Sequence, residues 1–308
     1  MSDRNLDLAQ KIIDFAMSLG ADSADAVVGE SASLNVSCRL GQLEDIERSE
    51  SRELGLRAII GQQQAFVSGT AVDAEALQRL AERAVEMAKA TPADRYCGLA
   101  PAERLANKLP SLDLADDHEP SAAELQSMAQ ETEDTARAME GITNSEGAGA
   151  AWGRGTTALV TSHGFAGSYS STSFSLSCSV VAGTGENMER DYASHSARHF
   201  EDLDTPETIG TRTGERTLAR LNPRKLESMK MPVVFDTRVS ASLLGHLSAA
   251  ISGTAIARGT SFLRDAMGTQ IMSAGLNVID EPHRRRGLRS AAFDGEGLSP
   301  ETLNLVQD

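Results

Sequence analysis

Aromatic side chains and long apolar runs are both scarce in this chain of 308 residues. Aromatic residues make up 4% of the sequence, and Trp152 is the only tryptophan. Glycine, by contrast, occurs 26 times, which favours sheets and tight turns over a large aromatic ligand pocket. No stretch approaches the roughly 18 apolar residues that a membrane-spanning helix requires. We therefore expect no membrane partner.

Cysteine is also sparse, with three residues at Cys38, Cys97 and Cys178. The number is odd, the spacings are wide and no Cys-x-x-Cys pair occurs, which argues against a disulfide framework. The first residues lead directly into an amphipathic helical pattern, so no signal peptide is recognisable. The sequence therefore predicts reduced thiols and a cytoplasmic location.

Positive charge is in short supply as well. The formal net charge is -15 and the sequence pI is about 4.9, whereas a nucleic-acid-binding protein usually carries a basic surface. Direct binding to nucleic acid is therefore not expected. The one dense basic run covers residues 283–286, with Arg289 close behind. We interpret it as a solvated loop or a contact with a protein partner.

What remains is a regular alternation of helical and strand patterns. Apolar residues recur at helical spacing over residues 6–19, and they alternate with polar ones over residues 34–40 and 54–60. A longer β pattern runs from about residue 147 to 193, where serines face away from an apolar row. Further helices are expected to start after Asp73, Ser121 and Thr205. The fold class is predicted as α+β, with helices covering antiparallel sheets.

A proline-rich and acidic connector from residue 92 to about residue 120 divides the chain. We predict two domains. Residues 1–110 form an N-terminal α+β domain, residues 111–225 form a middle α+β region with antiparallel strands, and residues 226–308 begin a C-terminal domain. Within that last part, residues 231–235 are predicted as a short buried strand, and Asp236 or Thr237 caps the following helix.

His195 and His199 are weak candidates for metal ligands, because they lie four residues apart. On a helix both would share one face, as zinc ligands can. A zincin helix, however, needs a glutamate directly after the first histidine, and Ser196 stands there. The flanking residues also resemble the end of a strand. The interpretation we favour is therefore no metal site in this chain, and no catalytic residue is assigned.

The carboxylates of Asp294 and Glu296, each beside a glycine, are a second candidate for cation binding. Calcium and magnesium sites need several oxygen ligands, and few other oxygen donors cluster near these two in the sequence. A tight turn, in which the carboxylates accept backbone N–H groups, is the interpretation we favour. The serine-rich strand near residue 175 could meet a peptide backbone, but a half-buried strand is the simpler explanation. Substrate-binding residues are not assigned.

Several short blocks together resemble the TldD/PmbA family, whose members were once called modulators of DNA gyrase and are now regarded as metalloprotease-type proteins. The blocks occur in the family's order and include Arg258, Ser261 and Phe262, then Asp280, then Asp294 and Glu296. We interpret these six residues as a family signature with a structural role. The blocks read Asn-Ser-Glu-Gly at 144–147, Ser-His-Gly-Phe at 162–165, Arg-Asp-Tyr at 190–192, Glu-Asp-Leu-Asp at 201–204, Arg-Gly-Thr-Ser-Phe-Leu at 258–263, Ile-Asp-Glu-Pro at 279–282 and Phe-Asp-Gly-Glu-Gly at 293–297.

The resemblance also implies which branch the chain follows. TldD proteins carry a helical HExxxH motif that binds the metal, whereas the corresponding segment here, residues 242–250, contains His246 alone and no glutamate. The chain is thus similar to the TldE (PmbA) branch. The resemblance implies a subunit of a two-component metallopeptidase that acts on unfolded peptides or small proteins. A TldD-like partner would supply zinc and catalysis, and this chain would hold no cofactor.

Family members continue well past the Asp-Gly-Glu-Gly block, so the resemblance implies a C-terminally truncated chain with an incomplete second domain. The alternative function is a regulatory binding protein that modulates gyrase or a toxin without proteolysis. The two hypotheses differ in whether cleavage of an unstructured peptide accompanies binding.

Overall fold

The computed structural model describes residues 2–307, with side chains from Arg4 onward. These residues form two compact units. Unit 1 contains residues 2–222 together with Glu281–Thr302, and unit 2 contains Pro223–Asp280 together with residues 303–307. The chain thus leaves unit 1 at Pro223, forms most of unit 2, and returns to unit 1 over Glu281–Thr302.

Unit 1 is built on one six-stranded antiparallel sheet with the order β3-β2-β1-β4-β5-β6. The strands are β1 Ser23–Arg39, β2 Gln42–Ile60, β3 Gln63–Gly69, β4 Ile142–Thr161, β5 Ala166–Ala182 and β6 Glu189–Ala197. The helices are α1 Ser2–Ser18, α2 Ala74–Ala90, α3 Ala122–Arg137 and α4 Pro206–Ala219. The predicted α+β class, with antiparallel strands and covering helices, is confirmed.

All four helices of unit 1 pack on one face of the sheet. The strands present their apolar side chains to that face at every second position, as strand geometry requires. Two clusters result. One lies under α1 and α2 and includes Val28, Leu54 and Leu77, and the other lies under α3 and includes Trp152 and Phe174. The alternation of apolar and polar residues that predicted the strands therefore results from burial of this face by the helices.

The opposite face of the sheet carries small polar side chains over its middle rows. Ser33 of β1 lies opposite Gly153 of β4, and Gly153 lies opposite Ser173 of β5. The next row joins Asn35, Ala151 and Ser175 in the same way. The serine-rich alternation of β5 thus lies on the face that the helices leave uncovered.

Helix ends follow the predicted capping residues. The Asp73 side chain accepts the N–H of Ala76 at the start of α2, and Ser121 and Thr205 cap α3 and α4 in the same way. Such caps satisfy N–H groups that the first helical turn leaves unpaired. They fix where each helix leaves its connecting loop.

Helices α3 and α4 approach closely because α4 carries glycine at its contact face. A Cβ atom on Gly210 would lie 2.5 Å from the carbonyl oxygen of Thr132, and one on Gly214 would lie 2.2 Å from Met139 Sδ. Larger residues would force the helices apart. The two glycines therefore set the distance between α3 and α4.

Unit 2 contains two consecutive helices and a small two-stranded sheet. They are α5 Thr237–Ile251, α6 Gly253–Ala257, β7 Val278–Asp280 and β8 Leu303–Val306. Of the two predicted caps, Asp236 is the one that caps α5. The buried strand predicted over residues 231–235 is wrong, because these residues adopt no regular structure and Val234 is 95% exposed. A strand needs a hydrogen-bonded neighbour, and none of the described strands pairs with this segment.

No helix within residues 2–307 combines the length and the apolar character that crossing a membrane would require.

Candidate functional site

The Asp-Gly-Glu-Gly block forms a tight turn in unit 1. The Asp294 carboxylate accepts the N–H groups of Glu296 and Leu298, both at 2.9 Å. One Glu296 oxygen accepts the N–H of Ala100 at 3.3 Å. One oxygen of each carboxylate is therefore directed at backbone donors.

Glu296 also contacts a charge that lies far away in the sequence. Its other oxygen is 2.9 Å from Arg57 Nη2, and the same guanidinium binds Asp25 through Nε at 2.9 Å and through Nη2. Asp25 and Arg57 are mostly buried, with side-chain exposures of 12% and 11%. Burial raises the pKa of Asp25 above its ordinary value, although hydrogen bonding to Arg57 opposes that shift. The arginine thus holds two carboxylates at the sheet surface.

The same block buries an aromatic cluster on the sheet face that the helices leave uncovered. Phe293 packs edge-on against Phe165 and Tyr169, with ring centroids 5.0 Å and 5.2 Å away. Gly297 has φ +78°, and a Cβ there would lie 2.6 Å from the Phe165 ring. Glycine is required at this position by both the backbone and the contact. The block is therefore fastened by packing, by hydrogen bonds and by charge.

The two candidate metal ligands occupy a strand and the loop that follows it. His195 lies in β6 and accepts the N–H of Asp204 at Nδ1, at 3.0 Å. His199 lies beyond the strand, is 8% exposed, and places Nε2 2.9 Å from the carbonyl oxygen of Asp113. The two residues therefore have separate hydrogen-bond partners. Their four-residue spacing does not correspond to a helical face.

His199 lies beside a network of ion pairs that includes Arg285 and Arg286 of the basic run at residues 283–286. Arg286 binds Asp113 at 2.6 Å, and it also reaches Glu201 and Asp202 at 2.6 Å and 2.9 Å. The hydrogen bond from Arg286 is the main cause that lowers the pKa of the Asp113 carboxyl. Arg285 binds the same Asp113 oxygen at 2.7 Å. Two arginines of the run therefore have acidic partners within unit 1.

The remaining signature residues lie in unit 2. Arg258 follows α6, and the Ser261 hydroxyl accepts the N–H of Leu263 at 3.0 Å. Phe262 is 84% exposed, and Asp280 ends β7. The six signature residues are thus divided between the two units.

Unit 2 also contains a cavity of about 800 Å³ that is lined by apolar and uncharged polar residues together with Arg264. Ile256, Leu263, Met267, Ile271 and Leu276 contribute to its lining. Apart from Arg264, the charged and metal-binding residue types are missing from this lining. The cavity therefore offers shape and apolar surface, with no acid–base or metal chemistry among its described side chains.

Helix α5 covers the segment at which the resemblance implies a metal-binding helix in TldD proteins. His246 lies on it and is exposed, while Leu247 and Ala250 are the buried residues of the helix. Among residues 2–307 no group of three or more His, Cys, Asp or Glu side chains has a geometry that could hold a metal ion. The described side chains of α5 offer a metal ion a single exposed imidazole.

Sequence reasoning missed the Asp25–Arg57 pair, although a signal for it exists. Asp25 interrupts an apolar stretch at the start of β1, and Arg57 interrupts another at the end of β2. A charge within a buried strand usually has a partner. Two such interruptions of opposite sign could have been paired from the sequence. The second carboxylate that binds Arg57, that of Glu296, could not have been predicted in this way, because it does not lie within a buried strand.

Comparison with known proteins fits the architecture. Three family models match in chain order. PmbA/TldA metallopeptidase domain 1 matches residues 24–88, the central domain matches residues 115–221, and the C-terminal domain matches residues 228–308. The chain belongs to the PmbA/TldD family of metallopeptidases.

The curated relatives are named for PmbA. The chain is 37% identical over 289 residues to metalloprotease PmbA of Escherichia coli O157:H7, covering 94% of this chain and 64% of that protein. It is 34% identical over 299 residues to the PmbA homolog of Haemophilus influenzae, covering 96% of this chain and 66% of the relative. The chain thus spans slightly less than two thirds of the length of these relatives.

Solved structures share the fold. A protein from Bacteroides thetaiotaomicron, described as a candidate modulator of DNA gyrase, superposes with a TM-score of 0.92 at 25% identity, over 99% of this chain and 70% of that one. TldE from Thermococcus kodakarensis superposes with a TM-score of 0.80 at 19% identity, over 97% of this chain and 67% of that one. At that lower identity the likeness concerns the fold alone.

Proposed function

We propose that this chain is a PmbA/TldE-type subunit of a two-component metallopeptidase. In this proposal a TldD-like partner supplies the zinc ion and the catalytic glutamate. This chain carries no HExxxH motif and helps to enclose the partner's active site. The cytoplasmic location expected from the cysteine pattern is part of the same proposal.

One observation carries the proposal. The three family models match in order, and yet α5, at the place of the metal-binding helix, reads Leu-Leu-Gly-His-Leu-Ser over residues 243–248. Zinc hydrolysis needs three protein ligands and an open position for water. A single exposed histidine supplies one ligand. The proposal therefore assigns the catalytic metal to another chain.

The proposed substrate is an unfolded peptide or small protein. An extended backbone can be captured by strand pairing, which depends little on side-chain sequence. The antiparallel sheet of unit 1 supports this mode, because its outer strands β3 and β6 each have one strand neighbour among the described strands.

The proposal is tested with the 308-residue chain alone and together with a TldD-type protein. Zinc is measured by elemental analysis after gel filtration, and cleavage is measured on a labelled unstructured peptide. We expect zinc and cleavage in the mixture and neither in this chain alone. Stoichiometric zinc with robust cleavage by the single chain would refute the proposal.

Histidine variants of this chain give the matched control. We expect His246→Ala, and the double variant His195→Ala with His199→Ala, to leave zinc content and cleavage by the mixture unchanged. Replacing the motif glutamate in the TldD-type partner should abolish cleavage and leave complex formation intact. Loss of bound zinc in the double variant, with assembly unchanged, would instead assign ligands to this chain.

A non-proteolytic regulatory role is the second candidate. It is favoured by the Bacteroides thetaiotaomicron structure, because that protein is described as a candidate modulator of DNA gyrase. The acidic net charge of -15 favours contact with a protein over contact with DNA. Enrichment of purified gyrase on the immobilised chain, without peptide cleavage by any mixture, would favour this candidate. No enrichment over a charge-matched control protein would reject it.

A further inference from the structure

The second strand of unit 1 leaves part of one edge open. β2 pairs with β1 along almost its whole length, whereas β3 pairs only with residues 54–60 of β2. Over residues 45–53 the register with β1 is regular, and no described strand pairs with the other edge. At about 3.3 Å per residue, this open β2 edge is roughly 30 Å long. Its free N–H and C=O groups form a template for another strand.

One face of the open β2 edge carries unpaired negative charge. Asp45 and Glu47 lie opposite Ser37 and Asn35 of β1, so their side chains share the face that the helices leave uncovered. Glu53 lies on the same face by strand alternation. Within residues 2–307 the structure records no ion pair for these three carboxylates. Their charge is free to meet a ligand.

The two arginines of the same stretch are already neutralised. Arg48 lies 2.9 Å from Glu50 and 3.2 Å from Glu119, and Arg52 donates to Glu30 at 2.6 Å. Both arginines are therefore engaged by carboxylates of this chain. The charge that the open β2 edge offers outward is negative.

We propose that the open β2 edge binds an extended cationic segment of another polypeptide, which adds to the sheet as a seventh strand. Lysine or arginine at every second position would place the cations beside Asp45 and Glu47, since cross-strand neighbours on one face lie about 5 Å apart. Self-pairing of two such edges would bring like charges together. The charge pattern therefore selects a basic strand over a second copy of this chain.

This inference does not depend on the proposed peptidase partnership, because it concerns binding by this chain alone. Its failure would leave zinc content and cleavage in the two-component test unchanged. Conversely, a chain that never joins a peptidase could still bind a basic strand.

The test uses a fluorescent peptide of twelve alternating lysine and valine residues, with anisotropy measured against the 308-residue chain. Two further peptides carry backbone N-methyl groups, one on every lysine and the other on every valine. In a strand, alternate N–H groups point to opposite edges, so only one methylated peptide loses its bonds to β2. We expect one series to bind at least tenfold more weakly and the other to stay within about threefold of the parent. Equal effects of the two series would overturn strand pairing.

Protein variants test the charge. Asp45→Asn combined with Glu47→Gln should weaken binding at least tenfold. Glu131→Gln combined with Glu140→Gln, which neutralises two exposed carboxylates elsewhere in unit 1, should change it less than twofold. Equal losses in both pairs would indicate bulk charge attraction and overturn the site. If the chain dimerises, and the combined Asp45→Asn and Glu47→Gln substitutions alter the dimerisation constant, the open β2 edge would be assigned to a second copy instead.

Discussion

Glu133 of α3 holds the turn at Gly41 by a direct hydrogen bond. One carboxylate oxygen accepts the Gly41 N–H at 2.8 Å, and the other accepts the N–H of Leu40 at the same distance. Both turn residues have positive φ, at 51° and 76°, as a two-residue hairpin of the I′ type requires. The side chain of a fully buried helical residue thus fixes where β1 ends and β2 begins.

Replacing Glu133 with glutamine should therefore destabilise unit 1. The amide has one oxygen, so it cannot accept both N–H groups, and its NH₂ group opposes one of them. We expect a loss of about 1–3 kcal/mol in the free energy of unfolding, measured by urea denaturation. Glu131→Gln, at an exposed position of the same helix, should have almost no effect. Equal stability of the two variants would contradict the assigned contact.

Gly297→Ala should disturb the Asp-Gly-Glu-Gly block. Alanine at φ +78° is strained, and its Cβ would clash with the Phe165 ring. We expect a loss of about 1–3 kcal/mol in unfolding free energy. Gly295→Ala provides the control, because nothing lies within 4 Å of a Cβ at that position and its φ is not in the left-handed region. A larger loss at Gly295 than at Gly297 would refute the packing account.

Arg57→Met should leave two carboxylates without their shared counter-charge. Removing one partner of a mostly buried ion pair costs about 3–5 kcal/mol, and the contact of Arg57 with Phe66, 5.7 Å from its ring centroid, is weakened as well. Adding Asp25→Asn should recover part of the loss, because one stranded charge disappears. Thermal denaturation of the single and double variants measures this coupling. Strict additivity of the two substitutions would contradict it.

Alkaline pH should destabilise the protein in part through Cys178. Burial, and secondly the charge of Glu133, raise the pKa of this thiol to about 12 from 9.0. The folded state keeps the proton after the unfolded state has lost it, so this stability is complete below about pH 9. It falls by roughly 1.4 kcal/mol per pH unit as the pH rises towards 12. Cys178→Ala should flatten the slope of unfolding free energy over that window, and an unchanged slope would refute the assignment.

Much of the fold could be predicted because one face of the sheet is covered by helices. Leu54 and Leu56 of β2 alternate with less deeply buried residues, since the helices cover every second position. Caps such as Asp73 act within one turn of the chain, so their pattern is local. The close packing of α4 at Gly210 and Gly214 could also be predicted, because two glycines one turn apart leave one helix face without side chains.

Other parts left no such pattern. β2 begins at Gln42, but residues 42–51 are exposed on both faces, and without burial there is no alternation to detect. The prediction for residues 231–235 failed in the opposite way. Their apolar run predicted a buried strand, whereas the segment is exposed in the described fold. The contact between Arg57 and Glu296 spans 239 positions, a distance at which short-range patterns carry no information.

The return of Glu281–Thr302 to unit 1 has a consequence for synthesis on the ribosome. Arg57 emerges 239 residues before Glu296, which at about 5–20 residues per second corresponds to roughly 12 to 48 seconds. For the 124 residues between the synthesis of Tyr169 and that of Phe293, Phe165 and Tyr169 lack the ring that covers them. A nascent chain therefore exposes an aromatic surface that a chaperone can recognise. That surface is buried only after the segment Glu281–Thr302 has been synthesised.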